Sequence, residues 1–251
     1  MAKKEKQKDK KPLLYRFIFW LFTVFYKKRR FIGAQQLEGE AVIVVGNHAQ
    51  THAPLTSELY FPAKKAIWCI GEMTKAKEVP AYAYQDFWSL KPKWIRWFYK
   101  LVSYIIAPLC AYIFSNADTI AVYKDARLAS TFKNSVKALS EGKKVVIFPE
   151  NRESYNEIIN DFQDKFVAVA KLYYSRYKVR PTFVPMYNAA SLKAVVFGKP
   201  IKYDPNIDID EQCKIVCNHL KKEITRIAKR LPRHRVVPYE NISKKDYPYS
   251  K

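Results

Sequence analysis

Apolar residues along this chain fall into short unbroken runs separated by longer stretches with helical spacing. Ala41-Val42-Ile43-Val44-Val45 is followed at once by Gly46-Asn47-His48-Ala49, and Val145-Val146-Ile147 leads into Phe148-Pro149-Glu150. Runs of this length, rich in β-branched residues and lacking alternation, predict strands covered on both faces. Further strands are predicted over residues 66–70, 119–123, 182–186 and 193–197. Between them, residues 55–60 predict one or two helical turns ended by Pro62. Residues 127–141 predict a helix with Leu128, Phe132, Val136 and Leu139 on one face and Gly142 as its stop. Phe162, Phe166, Val169, Ala170 and Tyr173 recur at helical spacing through a helix ending near Lys178, and residues 209–231 predict a final amphipathic helix. Strand and helix alternating at this spacing predict an α/β fold, a mostly parallel sheet flanked by helices.

Two apolar stretches do not fit that alternation. Residues 13–26 contain Tyr15, Phe17, Phe19, Trp20, Phe22, Phe25 and Tyr26 with Arg16 as the sole charge. As a helix this segment is roughly 21 Å long, short of a bilayer core of about 30 Å, so it predicts an interfacial membrane helix rather than a span. A cleaved signal peptide also begins with lysines and a short apolar run, but Lys27-Lys28-Arg29-Arg30 stands where a small-residue cleavage site belongs. Residues 97–114 carry Lys100 and Pro108 among aromatics, which suits a helix half sunk at a headgroup boundary or the buried cover of a large domain.

Charge sharpens the membrane expectation. Lys and Arg number 45 against 23 Asp and Glu in 251 residues, a formal net charge of +22, concentrated in the lysine-rich first eleven residues, the 27–30 block and residues 221–235. Such a balance implies an anionic partner. The basic blocks bracket an aromatic segment and no nucleic-acid motif appears, so anionic membrane lipids are the expected partner and nucleic acid is not. The expected organisation is a membrane anchor over 1–30, an α/β domain over 31–235 and a basic tail over 236–251, placed at the cytoplasmic face of the cell membrane as a peripheral or monotopic protein. Cys69, Cys110, Cys213 and Cys217 have no disulfide-framework spacing. Cys213 and Cys217 with His219 superficially resemble a metal cluster, and His48 with His52 a metal pair. On a helix that also carries Ile215, Leu220 and Ile224 the two cysteines are more simply small apolar fillers, the histidine pair has no third ligand with zinc spacing, and no metal is expected.

The polar residues at the strand ends define the candidate chemistry. Asn47-His48 after one strand, Lys124 after Ile120-Ala121-Val122-Tyr123, Phe148-Pro149-Glu150-Asn151-Arg152-Glu153-Ser154 after another, and Val184-Pro185 resemble, in order, the four sequence blocks of the glycerolipid acyltransferases. These PlsC-like enzymes move a fatty acyl group onto a lysophospholipid or glycerol phosphate. The resemblance covers about residues 41–198. It implies an O-acyltransferase at a membrane surface, with acyl-coenzyme A or an acyl-carrier-protein thioester as co-substrate and no other cofactor. His48 and Glu150 are then the catalytic candidates, and Asn47, Lys124, Phe148, Pro149, Arg152 and Pro185 the substrate-binding ones.

One position departs from the pattern. The family's histidine is followed five residues later by an aspartate that orients the imidazole, and here that position is Ala53. Losing such a carboxylate costs about 10⁴ in rate in the serine-protease triad. Three outcomes stay open on sequence alone: Glu58 or Glu150 supplies the negative charge, His52 shares the proton, or the fold binds lipid without turning it over.

Overall fold

The computed structural model describes residues 11–89, 91–123, 125–151, 155–240 and 242–250. The chain forms two compact units. One comprises Met1–Lys27, described from Lys11 onward, with Glu72–Ala117; the other comprises Lys28–Gly71 with Asp118–Lys251.

The second unit contains the sheet. Its strands are β1 (Arg30–Ile32), β2 (Val42–Gly46), β3 (Lys65–Ile70), β4 (Thr119–Val122), β5 (Lys144–Ile147), β6 (Thr182–Ala189), β7 (Ala194–Phe197) and β8 (Ile201–Lys202). They lie in the order β1-β7-β6-β2-β5-β3-β4, with β8 also paired to β6. All pairings are parallel except those of β6 with β7 and with β8. The α/β architecture with a mostly parallel sheet is therefore as expected. Every residue of β2 is buried, because β2 has a parallel neighbour on each side and cover on each face. Its odd residues, Ile43 and Val45, join Val145 and Ile147 against residues of α5 (Leu128–Ser140), α6 (Val167–Tyr177) and α7 (Ile209–Arg230). Its even residues, Val42 and Val44, join Val146, Val184 and Met186 against Leu37 on the other face.

Several boundaries differ from the sequence expectation. Helix α2 (His52–Tyr60) starts at His52, three residues early, because two residues in the left-handed region turn the chain sharply after β2. Helix α6 starts at Val167, because Phe162 pairs with Glu150 in an isolated bridge instead of continuing the helical face. Strand β6 runs on to Ala189, which places Pro185 in mid-strand. A proline is tolerated there because β8 pairs only Thr182 and Phe183, while β7 pairs Met186 to Ala189. Pro185 faces the gap between them, where its carbonyl accepts from Gly198 N–H at 2.8 Å and no strand needs its missing donor. A Cβ at Gly198 would lie 2.8 Å from the end of the Ile227 side chain and 3.0 Å from the Pro185 ring, so a larger residue would push the Ile227 side chain aside. Arg30, assigned to the anchor's basic block, begins β1. Residues 236–250, set apart as a basic tail, belong to the second unit: Val236 and Val237 are buried, and Arg235 pairs with Tyr249.

The first unit is helical in its described residues: α1 (Leu13–Phe25), α3 (Val79–Ala83) running into a π turn at Tyr84–Trp88, and α4 (Arg96–Asn116). Trp88 stacks on Tyr99 and donates its indole N–H to Ser103 at 2.6 Å, and Ser103 in turn donates to the Tyr99 carbonyl. Small residues Ser103 and Ala107 line the buried side of α4. Its other sides expose Trp97, Phe98, Leu101, Tyr104, Ile105 and Leu109, and α1 likewise exposes Phe17, Trp20, Leu21, Phe22 and Phe25. The helical stretch Lys93–Asn116 is long and apolar enough to cross a membrane by length and composition, and 11% of its apolar window is buried. The alternative of a buried core helix therefore does not describe it.

Candidate active site

Strands β2 and β5 run parallel in register, Val45 beside Ile147, so the segments that leave their carboxyl ends emerge side by side. Open α/β sheets gather ligands at this edge. Beyond β2 the chain continues as Asn47-His48, and Ala49 and Gln50 both take positive φ, 46° and 55°. Consecutive non-glycine residues in this region store backbone strain, which collects at functional sites. The strained turn closes with His52 N–H on the Ala49 carbonyl at 3.0 Å and Ala53 N–H on the His48 carbonyl at 3.3 Å.

Glu150 is drawn against this turn. Its side chain is 3% exposed. One carboxylate oxygen accepts the His48 backbone N–H at 2.6 Å, and the other accepts the Asn160 N–H at 3.2 Å. Burial pushes its pKa up to about 7, against the downward pull of those two N–H groups. Around it, the Pro149 carbonyl accepts from Gln163 N–H and Asn151 N–H donates to the Asp161 carbonyl. His48 and Glu150 are thus brought together, but through the histidine's main chain. The same bond occupies the His48 N–H, which removes it as a donor for a developing oxyanion.

The His48 imidazole sits between two aromatic rings, Phe148 at 5.7 Å between centroids and 74°, and Tyr239 at 5.6 Å and 84°. Among the described residues, its Nδ1 is buried with no hydrogen-bond partner within normal geometry. Burial holds its pKa below the ordinary histidine value, with a weaker opposing effect from the Gln50 backbone, so the ring is neutral at pH 7.

Among the described residues, neither candidate substitute supplies Nδ1 with a carboxylate. Glu58 is ion-paired with Lys65 at 3.0 Å. His52 is held below its usual value by burial and then by the charges of Arg29 and Lys244, a cationic setting that gives the site no negative charge. Ala53 is fully buried in an apolar cluster with Ala49 and Val237, against which Phe148, Ala190 and Tyr247 pack. The space beside the turn is filled with hydrocarbon.

The remaining sequence candidates separate clearly. Phe148 touches the imidazole, and Pro149 is buried in the Glu150 turn. The Asn47 side chain is 2% exposed, exchanging two bonds with the Asn188 backbone: its Nδ2 donates to the carbonyl at 3.3 Å and its Oδ1 accepts the N–H at 2.7 Å. It ties the end of β2 to β6. Pro185 is buried inside the sheet opposite Val45, level with the carboxyl ends of β2 and β5. Lys124 and Arg152 lie outside the described residues. Sequence reasoning missed Asn160 and the C-terminal contributors Val237, Tyr239 and Tyr247. The run Val236-Val237-Pro238-Tyr239 inside an otherwise basic tail was the available signal. No group of three or more His, Cys, Asp or Glu able to hold a metal occurs among the described residues. Cys213 lies on α7 in the core, and His219 Nε2 bonds the Lys199 carbonyl at 2.8 Å.

No protein-family model matches the chain, and no curated protein matches it. Among solved structures, the fold is similar to the crystal structure of the 1-acyl-sn-glycerophosphate (LPA) acyltransferase PlsC from Thermotoga maritima. That similarity has a TM-score of 0.51 at 16% identity and covers 87% of this chain and 80% of that one. The chain thus has an acyltransferase-like fold.

Proposed function

We propose that this protein is a membrane-surface O-acyltransferase, moving a fatty acyl group from a coenzyme A or carrier-protein thioester to a lysophospholipid or glycerol-phosphate-like acceptor. The observation that carries this reading is a neutral histidine, its Nδ1 unpartnered among the described residues, on a strained turn at the carboxyl edge of a PlsC-like sheet. In the reaction, His48 takes the proton from the acceptor hydroxyl as its oxygen attacks the thioester carbonyl. The tetrahedral intermediate then collapses with cleavage of the C–S bond, and His48 returns the proton to the departing thiolate. Glu150 holds the histidine's backbone in place and takes no part in proton transfer. Lys124 and Arg152 are assigned to the acceptor phosphate by their place in the blocks that the sequence resembles.

The membrane part of the proposal rests on the exposed aromatic and aliphatic faces of α1 and α4, together with the cationic segments beside them. Anionic lipids of the cytoplasmic leaflet fit both features. A second reading, lipid binding without turnover, is favoured by one observation: hydrocarbon surrounds Ala53 where the family keeps its carboxylate.

A thioester-consumption assay on the detergent-solubilised chain, run over a panel of lysolipids and neutral alcohols, separates the readings. Transfer to phosphate-bearing acceptors in preference to neutral ones supports the enzyme. Lysolipid binding without thioester consumption across the panel establishes the second reading.

A further inference from the structure

We propose that Tyr239, from the C-terminal segment, is a positioning residue for the His48 imidazole, acting with Phe148 in the orienting place that a carboxylate at position 53 holds in the family the sequence resembles. Both rings meet the imidazole nearly edge-on, at 74° and 84°, with centroids 5.7 and 5.6 Å away. Edge-to-face pairs have a preferred angle as well as a preferred distance, so two of them on one small ring oppose its rotation about the Cβ–Cγ bond.

Tyr239 can do this because the segment that carries it is pinned on both sides. Upstream, buried His234 bonds the Tyr187 hydroxyl at 2.8 Å and contacts Ser250 at 3.1 Å, and Val237 packs on Ala49 and Ala53. Downstream, the Glu240 carbonyl accepts from Gln50 Nε2 at 3.0 Å, and the Tyr247 hydroxyl donates to Gln50 Oε1 at 3.1 Å. Gln50 itself belongs to the strained turn. Alanine at position 53 and the aromatic contact are therefore one arrangement: the small side chain admits Val237, and Val237 brings Tyr239 to the ring. Unlike a carboxylate, the two rings fix orientation without fixing the tautomer or stabilising the imidazolium.

The catalytic consequence rests on the acyl-transfer reading, but the contact itself is tested independently. The full chain labelled with ¹⁵N at its four histidines gives imidazole resonances for each, compared between the parent, Tyr239→Phe and Tyr239→Ala. We expect Tyr239→Ala to shift and broaden the His48 signals while those of His234 stay in place. Its kcat should fall about threefold to tenfold with KM within about twofold, the size of one lost ring contact. Tyr239→Phe should match the parent in both. Should Tyr239→Ala fail to fold, Tyr239→Leu removes the ring edge while keeping bulk against Val237. Parent-like His48 resonances in the alanine or leucine variant overturn the proposal, as does a phenylalanine variant as impaired as the alanine one. If the parent shows no turnover, moved His48 resonances still uphold the positioning role while the acyl-transfer reading fails.

Discussion

The two turns that leave β2 and β5 lie side by side and are built on opposite terms. At the Glu150 turn both carboxylate oxygens hold a backbone N–H, and the flanking Pro149 and Asn151 are bonded to Gln163 and Asp161. At the His48 turn a buried ring nitrogen has no partner among the described residues, two residues hold left-handed backbone, and two aromatic rings pack on the imidazole. Buried polar groups in folded proteins are almost always satisfied, and departures gather where function needs them. The saturated turn holds shape and the unsaturated one is available for chemistry. Glu150 thus meets His48 through the histidine's main chain and not through its ring.

The largest effect expected from breaking this contrast is on the saturated side. Glu150→Ala strips two buried N–H groups of their acceptor, at about 1–3 kcal/mol each. Thermal unfolding should show a midpoint lower by about 5–20 °C. A small shift would mean that the turn holds itself without the carboxylate.

Titration sharpens the same point. The folded-state value of Glu150, about 7, lies above its ordinary 4.5, so the folded protein holds this proton where the unfolded chain has released it. Its contribution to stability accordingly falls as pH rises from about 4.5 to about 7 and is level above that, by up to about 3 kcal/mol. Denaturant unfolding of the parent and of Glu150→Gln across this window should show the parent's extra decline, and parallel curves would contradict it.

Ala53→Asp tests the other turn with a smaller effect. It places a carboxylate in a fully buried apolar cluster, lowering stability by about 1–3 kcal/mol. Because the two aromatic rings already orient the imidazole, turnover should not rise by orders of magnitude. A gain near the 10⁴ of the triad precedent would show that orientation by rings is no substitute.

Much of this architecture was legible beforehand, for physical reasons that also mark its limits. Strands β2, β5 and β7 announced themselves because parallel or enclosed strands are apolar throughout, and α5 and α7 because one face repeats every three or four residues. Strand β1 was hidden within a basic block, since Arg30 sits at an exposed edge where charge is no obstacle. The start of α6 was misplaced because Phe162 has helical spacing yet serves a bridge to Glu150. At the site, His48, Phe148 and Glu150 were found by position at strand ends. Sequence order does not show that Asn47 bonds the Asn188 backbone or that Pro185 pairs with Val45 inside the sheet. Tyr239 lies about 190 residues from His48, a contact only the tertiary fold creates.

The central claim is that the imidazole of His48 carries the reaction while contributing little to the fold. It is tested most directly by measuring thioester turnover and thermal unfolding on one preparation of His48→Ala beside the parent. The account predicts turnover reduced to background, with stability within about 1–2 kcal/mol of the parent. Turnover that survives in His48→Ala would contradict it.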